Sequence, residues 1–129
     1  MKVLLVEPGK HPRTVEIKHT LEAMYQVLDC DTITATYPWE DPVGLVTDDE
    51  GLFKDKPWNR VIDRYTAIKG NFFLCGLGPE DFTDLPEELM EKYKRLFWCP
   101  QLFIPTSEGM LVLHLDDDGE CDSILQREI

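Results

Sequence analysis

Lys2-Val3-Leu4-Leu5-Val6-Glu7-Pro8-Gly9, KVLLVEPG, decides how the first half of the chain is read. Four aliphatic residues in a row leave no polar alternation, the pattern of a central strand buried on both faces of a sheet. Pro8-Gly9 supplies a turn, with proline presetting one backbone angle and glycine accepting the positive φ that follows. Beyond the turn, Arg13-Thr14-Val15-Glu16-Ile17-Lys18 alternates polar and apolar. It therefore reads as a half-exposed strand returning along the first.

Working outward, Thr20 caps a short helix in which Leu21, Met24, Tyr25 and Leu28 recur at i, i+3, i+4 and i+7 and line one face. Residues 32–37, TITATY, form a β-branched strand halted by Pro38. Residues 43–46 and Leu52-Phe53 flank Thr47-Asp48-Asp49-Glu50-Gly51, which predicts a hairpin loop whose acids face water and whose glycine takes the strained position. Residues 54–64 read as a crossing segment and 65–77 as one long final strand. This succession predicts an α+β fold: a β-grasp-like mixed sheet with one packed helix over residues 1–77.

Residues 78–129 read as an extension within the same single domain, 1–129, consisting of a C-terminal helix and an acidic β-hairpin. Asp84-Leu85-Pro86-Glu87 is a helix start with an acidic cap, and Leu85, Leu89, Tyr93, Leu96 and Phe97 make the apolar stripe that follows. Pro100 ends this helix. Residues 101–104 and 110–115 then pair around Pro105-Thr106-Ser107-Glu108-Gly109, and Asp118-Gly119 offers one more tight turn.

Charge narrows the partners. The chain carries 25 acidic and 13 basic residues, a net charge of −12. Residues 77–129 hold 13 of the acids and only 4 of the bases. A duplex-binding face needs clustered positive charge to displace counterions from phosphates, so direct binding to duplex DNA is not expected. The short apolar start is cut off by Glu7-Pro8-Gly9-Lys10 before a signal-peptide core forms, and nothing reads as a membrane span. A cytoplasmic protein with no membrane partner is expected. Cys30, Cys75, Cys99 and Cys121 are widely spread with no C-x-x-C pair, which predicts free thiols.

Catalytic patterns are missing. The acids of 116–122 fail the calcium-loop spacing, because taking Gly119 as its glycine puts His114 at the first ligand position and Leu125 where the bidentate glutamate belongs. His11, His19 and His114 make no zinc pattern, and Gly76-Leu77-Gly78 lacks the rest of a phosphate loop. Ser107 and Ser123 have no nucleophile elbow around them. No catalytic residue, metal or cofactor is predicted.

Two candidate surfaces remain. In Lys56-Pro57-Trp58-Asn59-Arg60, KPWNR, the bases of an acidic protein gather beside a tryptophan, with Trp39 closing an earlier strand and Lys10 in the first turn. Lys10, Trp39, Trp58, Asn59 and Arg60 would suit a nucleotide-like anion, since tryptophan stacks planar rings and arginine binds phosphate or carboxylate bidentately. The structural alternative has Trp58 filling the core, Asn59 in a left-handed turn and Arg60 paired with Glu7 or an aspartate. The second surface is acidic: Asp116, Asp117, Asp118, Glu120 and Asp122 would offer a protein partner a nucleic-acid-like face.

Taken as a set, MKVLLVEPGKHP at the start, Asp49-Glu50-Gly51 followed by Pro57-x-Asn59-Arg60, Ile68-x-Gly70-x-x-Phe73-Leu74-x-Gly76 and Asp81-Phe82-Thr83-Asp84-Leu85 resemble an uncharacterised family of short proteins. It is the domain-of-unknown-function family numbered 3846, found in bacteria, their phages and conjugative elements. The resemblance covers about residues 1–97 and brings no assigned activity or catalytic residues. It implies a mobile-element setting, in which small non-enzymatic proteins antagonise host defence. The expectation is therefore an accessory factor that occludes a host protein, among them one that binds nucleic acid, through its acidic surface. A nucleotide-like anion-binding module at Trp58 and Arg60 is the alternative, and a hydrolase with an unrecognised site ranks last.

Overall fold

The computed structural model describes residues 1–115. Strand β1 (Lys2–Val6) and strand β2 (Arg13–Glu16) form the expected antiparallel hairpin, Val3 opposite Val15, with Gly9 at φ 73° in the turn. Helix α1 (Leu21–Leu28) starts at the predicted cap: the Thr20 hydroxyl accepts from the Ala23 amide at 3.1 Å. Met24 and Leu28 are buried. Leu21, the first helical residue, lies beyond the reach of the sheet and is exposed.

Strand β3 (Ile33–Thr36) pairs with β4 (Val43–Asp48). The expected partner strand at Leu52-Phe53 does not form. Gly51–Phe53 is a single 3-10 turn, Gly51 keeps a negative φ, and Phe53 is 91% exposed. Two apolar residues between charged neighbours are too few to hold a ladder against solvent. Nor does Asp48 face water; it is buried at the end of β4.

Residues 54–64 contain a strand where a crossing segment was expected. β5 (Trp58–Asp63) pairs with β6 (Thr66–Lys69) in a separate hairpin. Gly70, at φ 74°, breaks the chain before β7 (Phe72–Leu77), so 65–77 is two strands in two sheets rather than one. Helix α2 (Glu87–Leu96) begins after Pro86, which makes no side-chain cap bond. Asp84, expected to cap it, instead accepts from the Lys2 amide at 2.8 Å. Of the expected stripe, Leu85, Leu89, Tyr93 and Phe97 pack on the sheet, joined by Met90, while Leu96 is exposed. β9 (Gln101–Thr106) and β10 (Gly109–His114) form the predicted hairpin.

The main sheet runs β2-β1-β7-β4-β3, with the short β8 (Phe82–Thr83) also paired to β7. Every strand pair among the described residues is antiparallel. The mixed sheet expected from element order is thus not the one that forms, because order alone fixes neither strand direction nor neighbours. The architecture is α+β, with a helix on each face. Leu4, Val6, Val43, Leu45, Phe72 and Leu74 pack with Leu85, Met90, Tyr93 and Phe97 on one side. Val3, Leu5, Val46, Phe73 and Cys75 pack with Met24 and Leu28 on the other. This explains why KVLLV is unbroken: a strand covered on both faces has no use for alternation.

Candidate functional site

KPWNR enters β5, and its polar residues turn inward. Asn59 and Arg60 are both 0% exposed. The Asn59 amide donates to the carbonyls of Val6 (2.9 Å) and Gly70 (2.8 Å), which ties β5 to the end of β1 and to the β6–β7 break. Its oxygen accepts from Arg60 Nη1 at 2.9 Å. Arg60 then spreads its fork over main-chain carbonyls. Nε and Nη2 reach the Phe97 carbonyl at 3.2 and 3.1 Å, and Nη2 donates to the Lys10 carbonyl at 2.6 Å. Phe97 is the C-cap of α2, so a buried cation sits where the helix dipole is negative.

The left-handed Asn59 expected under the structural alternative does not occur: it lies within β5, and Asp29 is the one non-glycine residue of positive φ among those described. Glu7 takes Arg13, at 3.0 Å. Lys10 contributes its carbonyl to the corner while its side chain stays exposed. Trp39 packs on Tyr93 and Phe97, with ring centroids 4.7 and 6.0 Å away. Trp58 stacks on Phe103 at 5.7 Å, beneath the Lys69 ammonium at 4.9 Å. It lines a hollow of about 220 Å³ with Val61, Tyr65 and Met110, in which Trp39 takes no part.

A second polar cluster absorbs the other bases of this stretch. The Asp48 carboxylate, 1% exposed, accepts from Lys54 Nζ at 2.8 Å, Lys56 Nζ at 3.1 Å and the Glu50 amide at 2.9 Å. Lys56 also donates to the Leu28 and Asp29 carbonyls at the end of α1. Burial by itself raises the Asp48 pKa, but the bonds from Lys54, Glu50 and Lys56 outweigh it and hold the carboxyl below its ordinary value. A depressed folded-state pKa contributes stability that is present above the unfolded value and lost as pH falls through the folded one. Asp48→Asn should therefore cost about 1 to 3 kcal/mol at neutral pH and melt with less pH dependence than wild type below roughly pH 4. Thermal melts from neutral to acid pH check this; parallel curves for the two proteins would show that Asp48 is not the acid-sensitive group.

Beside Asp48 lies a cleft of about 280 Å³ that no sequence pattern announced. Thr34 and Thr36 of β3 stand opposite Thr47 and Leu45 of β4, all four lining its floor. Ile62, Ala67 and Ile68 of the β5–β6 hairpin form the facing wall, and Leu52 and Phe53 stand at the mouth. The one available signal was Leu52-Phe53 itself, an apolar pair set between charged runs with no strand to join.

Burial pushes the Cys75 thiol up to about 12, so it is inert, and Cys30, Cys75 and Cys99 are all free as expected. Among the described residues, no three or more His, Cys, Asp or Glu side chains are grouped to hold a metal ion. No helix there is long and apolar enough to cross a membrane. Asp116, Asp117, Asp118, Glu120 and Asp122, the acidic surface expected from the sequence, and the turn at Asp118-Gly119 lie outside the described residues.

Fold and site together define a small antiparallel α+β domain whose buried polar groups clamp main-chain carbonyls and which keeps an open, largely apolar cleft beside Asp48. The model of the family described as a domain of unknown function, DUF3846, matches residues 1–98, and the chain belongs to that family. No curated protein and no solved structure matches it. The matched span ends just after α2 and leaves out the β9–β10 hairpin.

Proposed function

We propose that this protein is a small cytoplasmic, non-catalytic binding factor that engages a host protein through its acidic surface. One observation carries the reading: in a chain of net charge −12, five of the 13 bases are already engaged by groups of the fold. Arg60 is buried on carbonyls, Lys54 and Lys56 share Asp48, Lys92 holds Asp41 at 2.6 Å, and Arg13 holds Glu7. The net charge of −12 leaves the outward field negative, which steers and selects basic partners. Such a surface competes for a groove built to hold nucleic acid, the setting in which a mobile-element factor would antagonise host defence.

The test is capture from a bacterial lysate by the wild type and by a variant with lysine at Asp116, Asp117, Asp118, Glu120 and Asp122. The wild type should retain a host protein at low salt and release it as salt rises, since screening acts over about 8 to 10 Å. The variant should fail to retain it. Capture that is indifferent to both changes would leave solubility as the only role of the charge. The nucleotide-like alternative would use the corner of Lys10, Trp39, Trp58, Asn59 and Arg60; of these, Lys10 alone lines the neighbouring hollow of about 290 Å³, beside Glu7 and Asp29, and a nucleotide panel that raises the melting temperature would favour this alternative instead.

A further inference from the structure

We infer that the cleft between the β3–β4 end of the sheet and the β5–β6 hairpin receives an apolar side chain from a basic, extended segment of a protein partner. The inference rests on the acidic-surface reading and gives that surface a docking point.

The cleft exists because neither helix reaches this end of the sheet. Alternation along β3 and β4 turns Thr34, Thr36, Leu45 and Thr47 toward the same face as the α2 core, and Ile62 and Ile68 cover that core only in part. Threonine suits a half-covered strand, presenting a methyl to an apolar guest and a hydroxyl to water when empty. The mouth is marked by Phe53 at 91% and Leu52 at 60% exposure. Exposed apolar groups clustered at a concavity, rather than scattered singly, are the usual sign of a binding face. Among the described residues β3 is also the last strand on its side of the sheet, so its outer amides and carbonyls can pair with an extended segment.

The charge of the rim selects the guest. Asp49 and Asp63 line the opening and are exposed, with Glu50 adjacent. Lys69 also lines it, but its ammonium lies over the Trp58 ring. An apolar floor with an acidic rim complements lysine or arginine flanking one aliphatic anchor, and it repels an acidic segment.

The experiment uses three synthetic nonapeptides: lysine and arginine around a central leucine, the same with a central serine, and glutamate around a central leucine. Fluorescence anisotropy with the full chain should show the basic leucine peptide binding about tenfold tighter than the basic serine one. The acidic peptide should not bind. Thr36→Phe fills the cleft from an exposed edge position, and Phe53→Ser removes the mouth; each should abolish the leucine preference while leaving the melting temperature near that of wild type. The methyl signals of Thr34, Thr36 and Thr47 should shift on titration. A leucine preference that survives Thr36→Phe, or shifts confined to other residues, would place the anchor elsewhere and overturn the inference. Equal, salt-sensitive binding of both basic peptides would overturn the cleft alone and leave the acidic-surface reading standing. No binding of either basic peptide would remove both.

Discussion

Arg60→Ala is expected to lower the melting temperature by roughly 10 to 20 °C, a loss of about 3 to 5 kcal/mol. The change removes a fully buried side chain and strips the Phe97 and Asn59 carbonyls of their guanidinium donors in the buried interior, and the Lys10 carbonyl of its donor at a part-buried position. Each stranded acceptor costs about 1 to 3 kcal/mol, and the space left behind adds to it. Arg60→Lys keeps the charge but offers a single ammonium in place of a planar fork, so it should fall between wild type and the alanine variant. Differential scanning calorimetry of the three proteins decides the point. A melting temperature that stays within a few degrees in Arg60→Ala would mean the guanidinium is held for a ligand and not for the fold.

A chain ending at Gly78 is expected to aggregate. Without α2 and its flanks, one face of the sheet loses Leu85, Met90, Tyr93 and Phe97 and presents Leu4, Val6, Val43, Leu45, Phe72 and Leu74 to water. Four large buried side chains at about 1.5 to 3 kcal/mol each approach the whole stability of a typical domain, as an upper bound. The cut also removes the Phe97 carbonyl on which Arg60 rests. Size-exclusion chromatography and a thermal melt of the fragment test this. A soluble monomer with a cooperative transition would show that residues 1–78 fold independently and that α2 is an appendage.

What could be read from the sequence was what local rules determine. The unbroken KVLLV, the Thr20 cap, the TITATY strand and the β9–β10 hairpin each carry their own periodicity or turn chemistry, and each formed near its expected place. The failures share a cause. β5 was missed because two of its inward positions are Asn59 and Arg60, which satisfy their polarity on main-chain carbonyls of distant residues. A hydrophobic pattern cannot register a strand that buries an amide and a guanidinium. Asp48 was read as solvated for the same reason, since the lysines that permit its burial follow it by 6 and 8 residues across an irregular turn. The aromatic and basic residues of KPWNR were visible at once, but which way they faced was not. The cleft was invisible because it is a gap between elements and belongs to no single stretch.

The arrangement of the sheet also sets the order in which the chain can assemble. Its central ladder joins the first strand to one completed only at residue 77, with Leu4 set against Leu74 and Val6 against Phe72. On the ribosome, the nearby β2 can cover one edge of KVLLV early, but the other stays open for the several seconds needed to synthesise the intervening residues at about 5 to 20 per second. For that interval a strongly apolar strand has one unpaired edge, the kind that recruits other chains. Sheets closed by such distant partners also fold slowly, over milliseconds to seconds. The soluble yield of this protein will therefore depend on how fast its chains are finished relative to how often unfinished ones meet.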